Sequence, residues 1–160
     1  MSQSMTTGPV AERFLTFVLG SEEYGVSIRC VQEIIGILPT TPVPGTPSYV
    51  TGVVNLRGAI VPVIDLRRRF GMREAELTRE ACIIVTRSTG ATVGLLADRV
   101  CDVVSVSPDA IQHPQTFGSS AHAQFVTGIA AHQKGARILL DASAITSDAA
   151  ANGGPAHVAA

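Results

Sequence analysis

Residues 49–65 have the sequence YVTGVVNLRGAIVPVID, and residues 125–141 have the sequence FVTGIAAHQKGARILLD. Each stretch contains two short apolar runs separated by a polar segment, and each ends on an aspartate. Short runs of branched aliphatic residues bounded by Gly, Asn or Pro are typical of strands joined in a hairpin. The two stretches are therefore predicted to be two copies of one β-hairpin.

A second pair of similar stretches precedes the first pair in the same order. Residues 25–37 (GVSIRCVQEIIGI) align with residues 94–106 (GLLADRVCDVVSV), so that Gly25 matches Gly94. In the hairpin copies Gly52 matches Gly128, which is a larger offset, and the additional residues fall in the loop His113 to Gln124. Two repeats in one order indicate an internal duplication.

The composition agrees with a duplicated β protein. Val, Ile and Thr together number 44 against 10 Leu, and branched side chains pack well on a pleated surface. Two small sheets can bury their edges by closing into barrels and by packing on each other. We expect an all-β fold with short helices, a domain over 13–146 divided into subdomains at about 13–72 and 81–146, and flexible tails at 1–12 and 147–160. The pattern leaves open whether the copies exchange strands.

Several residues within or next to the apolar runs have predicted structural roles. Asp65 precedes Leu66 to Phe70 and is predicted to cap a short helix, as is the equivalent Asp141. Pro62 is expected at an edge strand or a bulge because it has no amide hydrogen. The run 67–69, which is Arg-Arg-Arg, is expected to be a solvated helix start.

Charge and cysteine content exclude several partner classes. The net charge of −1 argues against a surface for nucleic acid, which needs a basic field. Cys30, Cys82 and Cys101 show no metal-binding or redox spacing, which favours reduced thiols in the cytoplasm. The polar first 13 residues and the lack of a run of about 18 apolar residues predict no membrane insertion.

The sequence offers little that resembles a catalytic or metal site. It lacks nucleotide-binding loops, and His113 and His122 have no ligand-like neighbours, so no metal or cofactor is expected. The weak alternative, a small β-barrel enzyme or ligand binder, would use His122 or the two aspartates Asp65 and Asp141. Capping is the favoured role for the aspartates, and no catalytic residue is predicted.

Glu33 and Arg57 are less easily explained. Glu33 lies in the apolar strand VQEII, and Arg57 lies in the turn NLRG between two apolar strands. The simpler explanation is that Glu33 faces outward by alternation and that Arg57 is a turn residue. The alternative is that the two residues pair at a binding surface.

The ordered motifs FLTFVLGSEEYGVSI, VQEIIG, YVTGVVNLRGAIVPVIDLRRRFG, CIIV and VGLLADRVCDVVSV resemble the CheW family of chemotaxis coupling proteins. The resemblance covers about residues 13 to 146. It implies two five-stranded β-barrel subdomains, made by the internal duplication and packed on a shared hydrophobic core. It also implies a non-enzymatic scaffold or adaptor that couples methyl-accepting chemoreceptors to a histidine kinase in membrane-associated signalling arrays. A related alternative is the coupling protein of a non-flagellar sensory array, such as one for surface motility.

The resemblance also implies where the partners bind. The cytoplasmic tip of the receptor would dock in a groove between the subdomains. The groove residues would be Ile28, Val31, Glu33, Gly52 and Arg57, with Val100 on the opposite wall. The regulatory domain of the kinase would contact loops at the barrel ends, for which the candidates are Pro42, Val43, Pro44 and Phe117.

Overall fold

The computed structural model describes residues 10–113, 123–133 and 135–153. These parts of the chain form eleven strands and two α-helices. The strands of the first half are β1 (Glu12–Leu19), β2 (Glu22–Ser27), β3 (Val31–Gly36), β4 (Val50–Leu56) and β5 (Ala59–Asp65), followed by α1 (Leu66–Arg69). The second half contains β6 (Cys82–Ser88), β7 (Ala91–Ala97), β8 (Arg99–Val106), β9 (Ile111–Gln112), β10 (Val126–His132), β11 (Gly135–Leu140) and α2 (Ala142–Gly153). Each half thus supplies the predicted five strands and a helix, and β9 is a short addition.

The strands form two sheets, and each sheet takes strands from both halves of the chain. The six-stranded sheet has the order β8-β1-β2-β11-β10-β9, and the five-stranded sheet has the order β3-β6-β7-β5-β4. The first hairpin of each copy therefore pairs with the later strands of the other copy. This answers the question that the sequence left open, because the copies exchange strands. The boundaries at 72 and 81 separate sequence repeats, whereas neither sheet is confined to 13–72 or 81–146.

The joints between exchanged strands are equivalent in the two sheets. Strand β11 runs parallel to β2 with Leu139 opposite Gly25, and β5 runs parallel to β7 with Val63 opposite Gly94. The sequence repeat matches Gly25 with Gly94, and it matches Val63 with Leu139. The predicted alignment is therefore confirmed as a structural equivalence.

The apolar side chains form one shared core and two smaller ones. The shared core joins both sheets and helix α2, with Phe17, Ile64, Leu95 and Ile145 fully buried. A smaller cluster fills the five-stranded sheet and includes Val54, Val61, Val63, Ile83 and Val85. Its counterpart in the six-stranded sheet is formed by Phe14, Val106, Ala130 and Leu139. Burial of aliphatic groups from both copies explains why neither copy needs a large core of its own.

The helices begin where the sequence predicts. The Asp65 Oδ1 atom accepts a hydrogen bond from the Arg67 amide at 3.0 Å, and the Asp141 Oδ1 atom accepts one from the Ser143 amide at 3.0 Å. Helix α2 extends to Gly153, so residues 147–153 are helical within the segment that was expected to be a tail. The physical basis of this helix is the Asp141 cap together with the alanine run 149–151, since alanine has the highest helix propensity.

Pro62 lies in β5, an inner strand, and not in an edge strand. It pairs with Val53 of β4, whereas the pairing of β5 with β7 begins only at Val63. The strand thus tolerates a proline because the ladder on its other side has not yet begun. Neither helix in the described part of the chain is long and apolar enough to cross a bilayer.

Candidate partner-binding site

Arg57 and Glu33 form an ion pair at the open side of the five-stranded sheet. Glu33 lies on β3 and Arg57 lies in the turn after β4, and these two strands are the edges of that sheet. Arg57 has a left-handed backbone with φ of 53°, and the turn is held by the Gly58 amide, which donates to the Asn55 side chain at 2.8 Å. The exposed fractions of the two side chains are 68% for Arg57 and 33% for Glu33. The structure therefore brings together the two charged residues that the sequence singled out.

The ion pair lines a groove of 630 Å³, which we call the end groove. Its walls come from β3, from the β4–β5 hairpin and from the β6–β7 hairpin. The lining residues are Gln32, Glu33, Leu56, Arg57, Ala59, Ile60, Val61, Pro62, Arg87, Gly90, Ala91, Thr92 and Val93. The floor is mainly aliphatic and the rim carries Glu33, Arg57 and Arg87, so the end groove suits an apolar side chain flanked by charged groups.

The other predicted groove residues lie apart from the end groove. Ile28, Val31 and Val100 are partly buried and pack against the shared core. Ile28 begins a 3₁₀ turn that leads into β3, and its N-cap Ser27 accepts from the Arg29 amide at 3.3 Å. The six candidates thus separate into a charged pair at one sheet end, three apolar residues packed against the shared core, and Gly52.

Gly52 has a backbone role that the sequence did not reveal. Its φ is 146°, and a Cβ atom built there would lie 2.3 Å from the Thr41 carbonyl oxygen. Thr41 forms two backbone hydrogen bonds with Val53, both 2.9 Å long, so the loop after β3 lies directly on β4. The equivalent Gly128 makes room for a side chain instead, because an ideal Cβ there would lie only 2.2 Å from the Cγ2 atom of Ile111 in β9.

The kinase-facing candidates lie in the loop that Gly52 accommodates. Pro42 and Pro44 are exposed, Val43 is half-buried, and the Val43 carbonyl accepts from the Thr46 hydroxyl at 2.9 Å. Phe117 lies outside the described residues, as do His122 and most of the loop 113–124. The structure therefore shows only one of the two candidate loops.

The remaining candidates for chemistry have structural roles where the structure describes them. Asp65 and Asp141 cap helices as expected, and Asp65 also lies 3.6 Å from the Arg68 guanidinium. Across residues 10–113, 123–133 and 135–153, no three His, Cys, Asp or Glu side chains cluster as metal ligands would. Cys30, Cys82 and Cys101 are all unpaired thiols, and Cys101 is exposed.

The arginine run at residues 67–69 is not the solvated helix start that the sequence predicted. Arg67 donates to both carboxylate oxygens of Asp98 at 3.1 and 2.6 Å, and this contact lowers the pKa of Asp98. The Arg69 guanidinium lies 4.0 Å from the ring centroid of Tyr49 and 4.5 Å from that of Phe125. All three partners, Asp98, Tyr49 and Phe125, are distant from the run in sequence, so the pattern of the run alone gave no signal of them.

A second group of ionisable residues, also missed from the sequence, lies at the end of the six-stranded sheet. The Arg137 Nε atom donates to Glu23 at 2.9 Å, and His132 Nε2 lies 3.6 Å from the other Glu23 oxygen. We call these three residues the Glu23 cluster. Burial alone would raise the pKa of Glu23, but hydrogen bonds and charge from Arg137, helped by Thr16 and His132, lower it overall. The side chains of the cluster are between 18% and 27% exposed.

Comparison with known proteins decides the family. A family model described as CheW-like domain matches residues 13–150. The chain belongs to the CheW family. The chemotaxis protein CheW of Rhizobium meliloti is 39% identical over 130 residues, which cover 81% of this chain and 83% of the relative. As a CheW family member, the chain is a chemotaxis adaptor.

Two further comparisons concern a solved structure and a second relative. The crystal structure of the scaffolding protein TtCheW from Thermoanaerobacter tengcongensis matches with a TM-score of 0.76 and 32% identity, covering 82% of this chain and 90% of TtCheW. Protein FrzA of Myxococcus xanthus is 30% identical over 118 residues, which cover 74% of this chain and 73% of FrzA. The predicted all-β fold class is confirmed by the two sheets and by the similarity to the TtCheW structure.

Proposed function

We propose that this chain couples the cytoplasmic tip of methyl-accepting chemoreceptors to a chemotaxis histidine kinase. It acts as a non-enzymatic adaptor in the cytoplasm and is recruited to membrane-associated receptor arrays. The observation that carries the proposal is the Glu33–Arg57 pair on the rim of the end groove. An ion pair in a fixed position beside an aliphatic floor can orient a bound partner. The same exposed pair contributes little to the stability of the fold.

The receptor tip fits this surface by its chemistry. A helical hairpin presents apolar side chains at helical spacing, and such anchors supply affinity when they enter an aliphatic groove. Ile60 is 40% exposed on the floor of the end groove and is available to an anchor of that kind. Arg87 adds positive charge to the rim, so a hairpin with a carboxylate next to its anchor is the favoured ligand.

The kinase is proposed to bind elsewhere on the chain. The loop with Pro42, Val43 and Pro44 is held against β4 by the Thr41–Val53 hydrogen bonds, which gives its exposed prolines a defined position. A loop of restricted conformation loses less entropy on binding than a free one. Phe117 remains the candidate in the second loop. Separate surfaces for the two partners allow both to bind at once, as coupling requires.

Reconstitution tests the proposal. Receptor signalling fragments and histidine kinase are mixed with or without this protein, and kinase autophosphorylation is followed with and without receptor stimulus. We expect receptor control of the kinase only when the protein is present. Unchanged control in its absence would contradict the adaptor function. The similarity to FrzA is compatible with one alternative, the coupling protein of a non-flagellar sensory array. Pairing the protein with each candidate receptor and kinase separates the two functions.

A further inference from the structure

The two sheets have equivalent ends that differ in chemistry. The repeat alignment makes Val61 the equivalent of Arg137, Thr92 that of Glu23, and Leu56 that of His132. The first residue of each pair lines the end groove of the five-stranded sheet. The second residues form the Glu23 cluster of the six-stranded sheet. Three side chains without ionisable groups at one sheet end thus correspond to three ionisable side chains at the other.

The strand pairing differs at the same place. In the six-stranded sheet the parallel ladder includes Arg137 opposite Glu23 and Ile138 opposite Tyr24. In the five-stranded sheet, the described β5–β7 ladder begins two positions later, at Val63 opposite Gly94. Pro62 is the equivalent of Ile138 and has no amide hydrogen for a ladder. The five-stranded sheet is therefore open where the six-stranded sheet is joined by an ion pair.

The Glu23 cluster is well suited to hold its sheet end closed. Glu23 interacts with side chains on two different strands, the Arg137 guanidinium on β11 and the His132 imidazole on β10. All three side chains are mostly buried, so their attraction is screened less by water than that of an exposed pair. An apolar anchor entering this end would have to displace Arg137 from Glu23 and leave charged groups without partners, which is unfavourable.

We propose that Glu23, His132 and Arg137 determine where the receptor hairpin binds, by closing the sheet end that is equivalent to the end groove. The fold contains two equivalent sheet ends, but only one of them then offers a groove to the receptor. This inference rests on the proposed function, because the hairpin is the occupant of the open end. The specificity of receptor binding then comes from an unfavourable contact at the closed sheet end as much as from favourable contacts in the end groove.

The test transplants the open end onto the closed one. The variant Glu23→Thr/His132→Leu/Arg137→Val copies the residues of the end groove. Binding of a purified receptor hairpin is measured by titration calorimetry, and hydrogen exchange is measured at the amides of residues 23–24 and 137–138. We expect one hairpin per wild-type chain, two per triple variant, and faster exchange at those amides in the variant.

A matched control removes a comparable ion pair that does not close a groove. The variant Arg67→Met/Asp98→Asn should still bind one hairpin per chain. If the triple variant fails to fold, the variant Glu23→Gln/Arg137→Met removes the charges at nearly constant volume, and the same two results are expected. The inference is overturned if the folded variant still binds one hairpin, or if its amide exchange is unchanged. A wild-type chain that binds no hairpin would instead contradict the proposed function.

Discussion

Arg57 donates to Glu33 across the gap between the two edge strands of the five-stranded sheet. The two residues are 24 positions apart in sequence, and β3 and β4 have no ladder with each other among the described residues. The ion pair therefore links two edge strands that have no backbone ladder between them. Because Arg57 is largely exposed, the pair is expected to affect the shape of the groove rim more than the stability of the fold.

Glu33→Arg should abolish receptor coupling while the protein stays folded. An exposed ion pair contributes about 0–1 kcal/mol, so the melting temperature should fall by no more than about 4 °C. Coupling is measured as receptor control of kinase autophosphorylation, and Glu80→Arg, at an exposed position in the linker, is the control. The double variant Glu33→Arg/Arg57→Glu should recover part of the activity. Unfolding of Glu33→Arg would show that Glu33 is structural.

Gly52→Ala should destabilise the fold and release the loop after β3. The added Cβ would meet the Thr41 backbone, which cannot move without breaking the hydrogen bonds to Val53. Such overpacking costs about 1–3 kcal/mol, measured by urea denaturation. Gly36→Ala is the control because no heavy atom lies within 4 Å of the site of its Cβ. Equal losses in both variants would contradict this explanation.

Acid should weaken the fold partly through Asp98. The pKa of Asp98 is lowered from 3.8 in the folded state, chiefly by the hydrogen bond from Arg67. The ionised carboxylate therefore stabilises the fold at pH values above 3.8. This contribution is lost as the pH falls through the lowered folded pKa. The difference in melting temperature between wild type and Asp98→Asn should therefore be largest near neutral pH and shrink below about pH 4. A constant difference across this range would argue against the ion pair.

Arg69→Met should lower stability by about 1–3 kcal/mol, because the guanidinium lies over two aromatic rings. Tyr49 and Phe125 are equivalent positions of the repeat, so the cation lies between the two copies. Methionine keeps most of the side-chain volume, which isolates the effect of the charge. The free energy of unfolding from urea titration is the measurement, and Arg73→Met, an exposed linker position, is the control.

The sequence repeat explains how much of the fold could be predicted. Its alignment identified Gly25 with Gly94 and Val63 with Leu139, and these pairs occupy equivalent joints in the structure. The short aliphatic runs predicted the strands, and an aspartate before each short helical stretch predicted the helix starts. These features are local or periodic, and so they can be read along the chain.

The contacts between distant residues could not be predicted in the same way. The pairing of Arg67 with Asp98 and that of Glu23 with Arg137 join residues that are 31 and 114 positions apart. Nothing in either neighbourhood specifies the partner, because strand exchange decides which segments meet. Glu33 and Arg57 were candidates as charges at unusual places, but only the folded structure shows that they meet.

The sequence by itself determined that this chain is a duplicated β protein with capped helices and a CheW resemblance. Strand periodicity, capping and repetition are properties of neighbouring residues, and they need no knowledge of the folded chain. Only the tertiary structure decided that the copies exchange hairpins, that Gly52 accommodates a crossing backbone, and that one sheet end is open while its equivalent is closed. Those features depend on which distant residues come into contact, since a groove and an ion pair both require two segments at one place.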